Sequence, residues 1–214
     1  MIRILTMTAV MATLWGCDDH TEGTVAAEVT EVAETPAAPA AETPAAPTAE
    51  TPAAPGLTAN GENSTIQWVG AKITASHPGG FNEFTVEANT EGTTMTAIQG
   101  TIQVGSLFSD SDRLTQHLLD ADFFEVATFG TVTFTSSKIE AASEGGHTVT
   151  GVLEMHGVKK EISFPAQIAV AEDGTASFDA EFNINRNDWG ISYPGRADDA
   201  IKELVVVKLD FNLS

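Results

Sequence analysis

The chain is predicted to be all-β: an antiparallel array of about eight strands with one short helix beside it. Three observations carry this reading. Apolar and polar residues alternate with period two through most of residues 57–214. Turn chemistry separates the alternating runs, at Asn89–Gly92, Glu144-Gly145-Gly146, His156-Gly157 and Glu172-Asp173-Gly174. The residues before 57 show no such period and are rich in Ala, Pro and Glu.

Residues 1–17 read as an export signal rather than as fold. Arg3 is a basic start, and Ile4 to Leu14 is a mostly apolar stretch of 11 residues. That falls well short of the roughly 20 needed to cross a bilayer. The stretch ends in Leu14-Trp15-Gly16-Cys17, and Cys17 is the single cysteine. This resembles a bacterial lipoprotein signal, which implies cleavage before Cys17 and its lipidation. The expectation is an exported, periplasmic or cell-envelope lipoprotein held to a membrane through that N-terminal anchor. Asp18 and Asp19 resemble an inner-membrane retention signal of some Gram-negative bacteria; inner and outer membrane both stay open.

Residues 18–56 are predicted to be a disordered tether. The unit Glu-Thr-Pro-Ala-Ala-Pro recurs at Glu34–Pro39, Glu42–Pro47 and Glu50–Pro55. Proline removes backbone donors and favours an extended helix without internal bonds, and the repeat has no apolar face to bury. At about 3.1 Å per residue, Glu34 to Pro55 could span roughly 70 Å.

The domain, 57–214, then unfolds as alternating runs. Ile66 and Trp68 face one way; so do Phe84, Val86 and Ala88, and next Ile98, Gly100, Ile102 and Val104. Val132 and Phe134 follow, then Val149, Gly151, Leu153 and Met155. The last three rows are Ile162 to Val170, Phe178 to Ile184, and Val205 to Leu213. One apolar and one wet face per strand is the mark of an antiparallel sheet. Eight such strands can close into a barrel and remove their exposed edges; a sandwich fits the same pattern. Ser109 to Asp112 offer N-cap oxygens, and Leu114 and Leu118 fall at i, i+4, which predicts a helix over about Asp112–Ala121 that closes or flanks one end. Small residues (Ala88, Gly100, Gly151, Ala166, Ala180) sit in the apolar rows. They accommodate large neighbours in a filled interior and leave a channel in a ligand-binding one; the residues alone favour the filled interior.

Several function classes drop out. With 30 Asp and Glu against 10 Lys and Arg, the net charge is −20, which leaves no basic face for nucleic acid. One cysteine excludes a disulfide framework. His77, His117 and His156 have no metal-ligand spacing, and His156-Gly157 reads as a turn. No Gly-x-Ser-x-Gly and no glycine-rich phosphate loop is present, and no catalytic set stands out. The segment Asn185 to Gly195 gathers Arg186, Trp189 and Tyr193. It is either a pocket rim with a cation for a headgroup, or a corner in which Arg186 pairs with Asp188.

Read together, the runs resemble one family. Gly79-Gly80-Phe81, Ser109 to Leu114, His117-Leu118, Ala121 to Phe124, Thr131 to Ser136, Thr148 to Lys160, Asn185 to Ile191 and Asp198 to Glu203 come in the order and spacing of YceI-like domains. The resemblance covers about Asn63–Ser214. It implies a lipocalin-like eight-stranded antiparallel barrel with a long apolar channel. It also implies non-catalytic binding of a long-chain isoprenoid lipid or similar amphiphile, such as a polyprenyl chain, an isoprenoid quinone or a fatty-acid derivative, with no other cofactor. On alternation, the expected channel lining is Trp68, Phe84, Ile102, Phe134, Leu153, Phe164, Phe178, Phe182, Trp189 and Phe211, with Arg186 and Tyr193 at the rim. The expected partners are the lipid and the membrane, and a homodimer through the outward face is compatible. The alternative is an envelope interaction module, its barrel filled, that binds a partner protein through its acidic face.

Overall fold

The computed structural model describes residue 21 and residues 23–31, 56–143 and 145–214. The predicted signal, Cys17 and the three proline repeats lie outside the described residues. The strands in chain order are β1 (Val25–Ala26), β2 (Glu28–Glu31), β3 (Leu57–Asn60), β4 (Thr65–Ala71), β5 (Ser76–Phe81), β6 (Phe84–Glu91), β7 (Thr94–Gln103) and β8 (Leu107–Ser109). After helix α1 (Asp112–Leu119) come β9 (Thr131–Ala141), β10 (His147–Met155), β11 (Val158–Val170) and β12 (Ala176–Asn185). A 3-10 turn at Arg186–Trp189 leads to β13 (Gly195–Arg196), β14 (Asp199–Ala200) and β15 (Leu204–Leu213).

All eight alternating runs are strands: β4, β6, β7, β9, β10, β11, β12 and β15. They belong to one sheet in the order β3-β6-β7-β9-β10-β11-β12-β15-β4-β5-β8, each neighbour antiparallel. The sheet curls as a half-barrel of the lipocalin-like kind. Reciprocal backbone bonds between Thr58 and Ser214 tie β3 back to the end of β15.

Local chemistry sets the joints. Met155 pairs with Val158 across the two-residue turn His156-Gly157. Both turn residues have positive φ, 51° and 74°, as the tightest hairpin turn requires. At Gly151 a Cβ would lie 2.5 Å from the Phe134 ring, so glycine lets that ring cross the neighbouring strand. The same reason explains β5, where Pro78-Gly79-Gly80 looks like a turn in sequence. A Cβ on Gly79 would fall 2.2 Å from the Trp68 ring, and one on Gly80 2.8 Å from Phe108. The glycines form strand because aromatic rings occupy the space their side chains would need.

The composition boundary at 57 needs one correction. Residues 25–31 are not free tether. Val25 and Ala26 pair in parallel with Phe182 and Asn183 of β12, and Glu28 to Glu31 pair antiparallel with Ser163 to Lys160 of β11. Ala27 is buried in the main core cluster and Val29 packs against it. The physical reason is local: β11 and β12 pair only over 167–170 and 176–179, and the segment fills the wedge where they part. Its apolar positions, Ala27 and Val29, are two apart and alternate with Glu28 and Thr30, the period of a strand.

Candidate ligand cavity

A cavity of about 430 Å³ lies inside the curl. It falls within the range of about 300–1,000 Å³ usual for small-molecule sites. The expectation of a filled interior is therefore corrected. Of the small residues in the apolar rows, Gly100 lines the cavity; Ala88, Gly151, Ala166 and Ala180 do not. A Cβ on Gly100 would meet nothing closer than 3.6 Å. The empty space thus sits beside β7, while the space next to Gly151 is taken by Phe134.

Eight of the ten residues expected to line a channel do so: Trp68, Ile102, Phe134, Leu153, Phe164, Phe178, Phe182 and Phe211. Phe84 and Trp189 are not in the lining. Phe84 is buried against Phe211, with ring centres 6.0 Å apart. Trp189 is wholly buried in the corner, and its indole N–H donates to the Leu153 carbonyl, which turns the ring into the core. Sequence reasoning missed the contribution of α1. Leu114 and Leu118 line the cavity together with Phe123 and Phe124 just after the helix. Their i, i+4 spacing was the signal; it identified a flanking helix without showing that this face looks into an empty space.

The rim expectations divide. Arg186 reaches the cavity wall, but its guanidinium donates to the carbonyls of Lys202, Ile191 and Ile201. Burial pushes its pKa down from the ordinary arginine value, opposed by the nearby Glu203 carboxylate. Three carbonyls take up its donors, so it fastens the corner instead of presenting a cation. Tyr193 is outside the lining and packs against His117 and Phe123, at 5.2 Å from each. Lys72, His77, Ser111 and Lys202 are among the polar residues of the lining. Lys72 pairs with Asp199, which also accepts from the Thr74 amide and hydroxyl. The hydrogen bond from Lys72 is the main reason the Asp199 carboxyl titrates below its usual value.

Trp68 lines the cavity. Its indole N–H is buried and has no hydrogen-bond partner in the protein. An orphaned buried donor costs about 1–3 kcal/mol. The histidines do not converge: His77 meets Asp110, His117 meets Asp122, and His156 meets the Trp189 carbonyl. Among the described residues no group of three or more His, Cys, Asp or Glu could hold a metal ion.

A curled antiparallel sheet around an apolar cavity, flanked by one short helix, defines a lipocalin-like fold. The chain belongs to the YceI-like domain family, whose model matches residues 57–213. It is similar to a UPF0312 protein of Pseudomonas fluorescens, 31% identical over 105 residues, which is 47% of this chain and 55% of that protein. A UPF0312 protein of Pseudomonas putida is 33% identical over 99 residues, 44% of this chain and 52% of the relative. The chain thus spans about half the length of these curated relatives. Among solved structures, BcnA of Burkholderia cenocepacia aligns with a TM-score of 0.60 at 23% identity, covering 70% of this chain and 95% of that one. A domain of Saccharophagus degradans described as polyisoprenoid-binding aligns with a TM-score of 0.58 at 17% identity, covering 73% and 97%. At these identities the structural likeness shows the fold.

Proposed function

We propose that this domain binds a long-chain isoprenoid lipid or a similar amphiphile, without covalent chemistry, and sequesters or carries it at a bacterial envelope membrane. The single observation that carries the reading is the cavity, about 430 Å³, walled chiefly by aliphatic and aromatic side chains. Each Å² of apolar chain moved from water into such a site contributes about 25 cal/mol before ordering costs. The polyisoprenoid-binding description of the Saccharophagus domain favours the same cargo class. Anchoring through a lipidated Cys17 completes the proposal and rests on the signal-like residues 1–17.

The test fills the cavity at Gly100, a lining position where an added Cβ makes only ordinary van der Waals contact, at 3.6 Å and beyond. Gly100→Leu is expected to cut binding of a polyprenol, a long-chain quinone or a fatty acid by at least tenfold while leaving the unfolding midpoint nearly unchanged. Native mass spectrometry of the gently purified protein reads the bound lipid directly. If the wild-type protein carries no lipid and shows no saturable binding of any of the three, the proposal fails.

A further inference from the structure

The wedge between β11 and β12 is a break in the cavity wall. Ladder bonds join the two strands over only 167–170 and 176–179. Beyond that point the edge of β11 pairs with β2 and the edge of β12 pairs with β1. The flanking residues Ile162 and Phe164 on one side, and Phe182 and Ile184 on the other, all line the cavity. Behind the segment the rings of Phe164 and Phe182 stack across the gap, centres 4.2 Å apart. Two layers therefore separate the cavity from solvent here: a ring pair inside and the N-terminal strand outside.

The outer layer is held lightly. Ala27 is buried, Val29 is half-buried, and Val25 is 58% exposed. Little apolar area is lost to water when so few small side chains lift away. The other ties are the short ladders, the Ala27 N–H to the Asn183 carbonyl, the Asn183 amide to the Thr24 carbonyl, and the Lys160–Glu31 ion pair. Elsewhere Lys72 of the lining is held by its pair with Asp199 and its bridge to Ile201, and Leu114 and Leu118 of α1 line the cavity.

We propose that Thr24–Glu31 is a removable strand closing a lateral slot, and that a long-chain amphiphile passes between β11 and β12 when the strand lifts. A chain molecule threaded through an end must slide its full length. A side slot opens along the chain and needs only the strand and the Phe164–Phe182 ring pair to yield. The inference rests on the ligand reading above.

A reversible lock tests it. Thr30 and Glu161 are register partners on the outward side and neither lines the cavity. Directly paired positions of neighbouring strands lie within reach of a disulfide. The full chain carrying C17S, T30C and E161C is followed as it takes up a dansyl-labelled polyprenol from phosphatidylcholine vesicles. Oxidation is expected to slow uptake and release at least tenfold, and reduction to restore both. Equal rates in the two forms overturn the lateral route. Hydrogen exchange decides the strand's removal without any ligand. The alternate amides of residues 160–163 and 182–183 that face the N-terminal strand, rather than β10 or β15, are expected to exchange about 100-fold faster than those of residues 211–213, as a locally opening unit does. Equal protection overturns it. Absence of uptake in both forms sinks the ligand reading and the route together, while exchange still reports whether the strand lifts.

Discussion

The two edges of β12 are built differently. Toward β15 it pairs without interruption from Ala176–Leu213 to Asn185–Leu204. Toward β11 it makes four pairs and then parts from its neighbour. The inner faces show the complement of this. On the ladder side Phe178 stacks on Phe211 at 5.7 Å; across the parted side Phe182 stacks on Phe164 at 4.2 Å. One strand thus serves as continuous wall on one edge and as the side of a slot on the other. A wall's permanence is set by the run of its backbone bonds, and side-chain stacking can cover a gap without making it permanent.

The contrast can be broken by substitution, most severely on the ladder side. Phe178 is 1% exposed, so Phe178→Ala is expected to cost about 3–5 kcal/mol in urea unfolding, the range for deleting a buried ring. On the slot side, Ala27→Pro removes the N–H that donates to Asn183. It is expected to cost about 1 kcal/mol globally while stripping exchange protection only from the amides of residues 160–163 and 182–183 that face the segment. If protection falls throughout the sheet, the slot is no weaker than the ladder. Smaller again is Glu31→Gln, which dissolves a pair with an exposed carboxylate; about 0–1 kcal/mol, fading with salt, is the expectation. The Lys72–Asp199 pair offers the last comparison. Its Asp199 carboxyl titrates below the usual value of 3.8, so its contribution is complete above that value and is lost as pH falls through the lowered one. Acid should therefore loosen residues 72–75, a change read by exchange at low pH, and Asp199→Asn should abolish that pH dependence.

Most of the fold was legible because period-two alternation is long and regular in the eight main strands. The short elements were not. Residues 76–81 carry Pro and two glycines and show no period-two alternation; their ladders to β4 and β8, packed against the rings of Trp68 and Phe108, make them strand. Residues 25–31 hold just Ala27 and Val29 as inward positions, too few to stand out beside the proline repeats. The cavity was half legible. Alternation told which side chains face inward, and Trp68 to Phe211 largely took their expected places. It could not tell which small residue leaves a space and which receives a neighbour's ring, since Gly100 and Gly151 look alike until Phe134 is placed. Arg186 misled for a different reason: the groups that engage it are backbone carbonyls, of Ile191, Ile201 and Lys202, which side-chain patterning does not reveal.

Docking of residues 25–31 also changes the mechanics of any leash that begins at Cys17. Seven positions separate Cys17 from Thr24, and extended chain advances at most about 3.6 Å per residue, a reach of roughly 25 Å. The proline repeats then join two points on one body, Glu31 and Gly56, and add nothing to the standoff while the strand is seated. With Cys17 anchored as proposed, tension would arrive first at the slot, and release of the strand would lengthen the radius of action by the whole of the repeats.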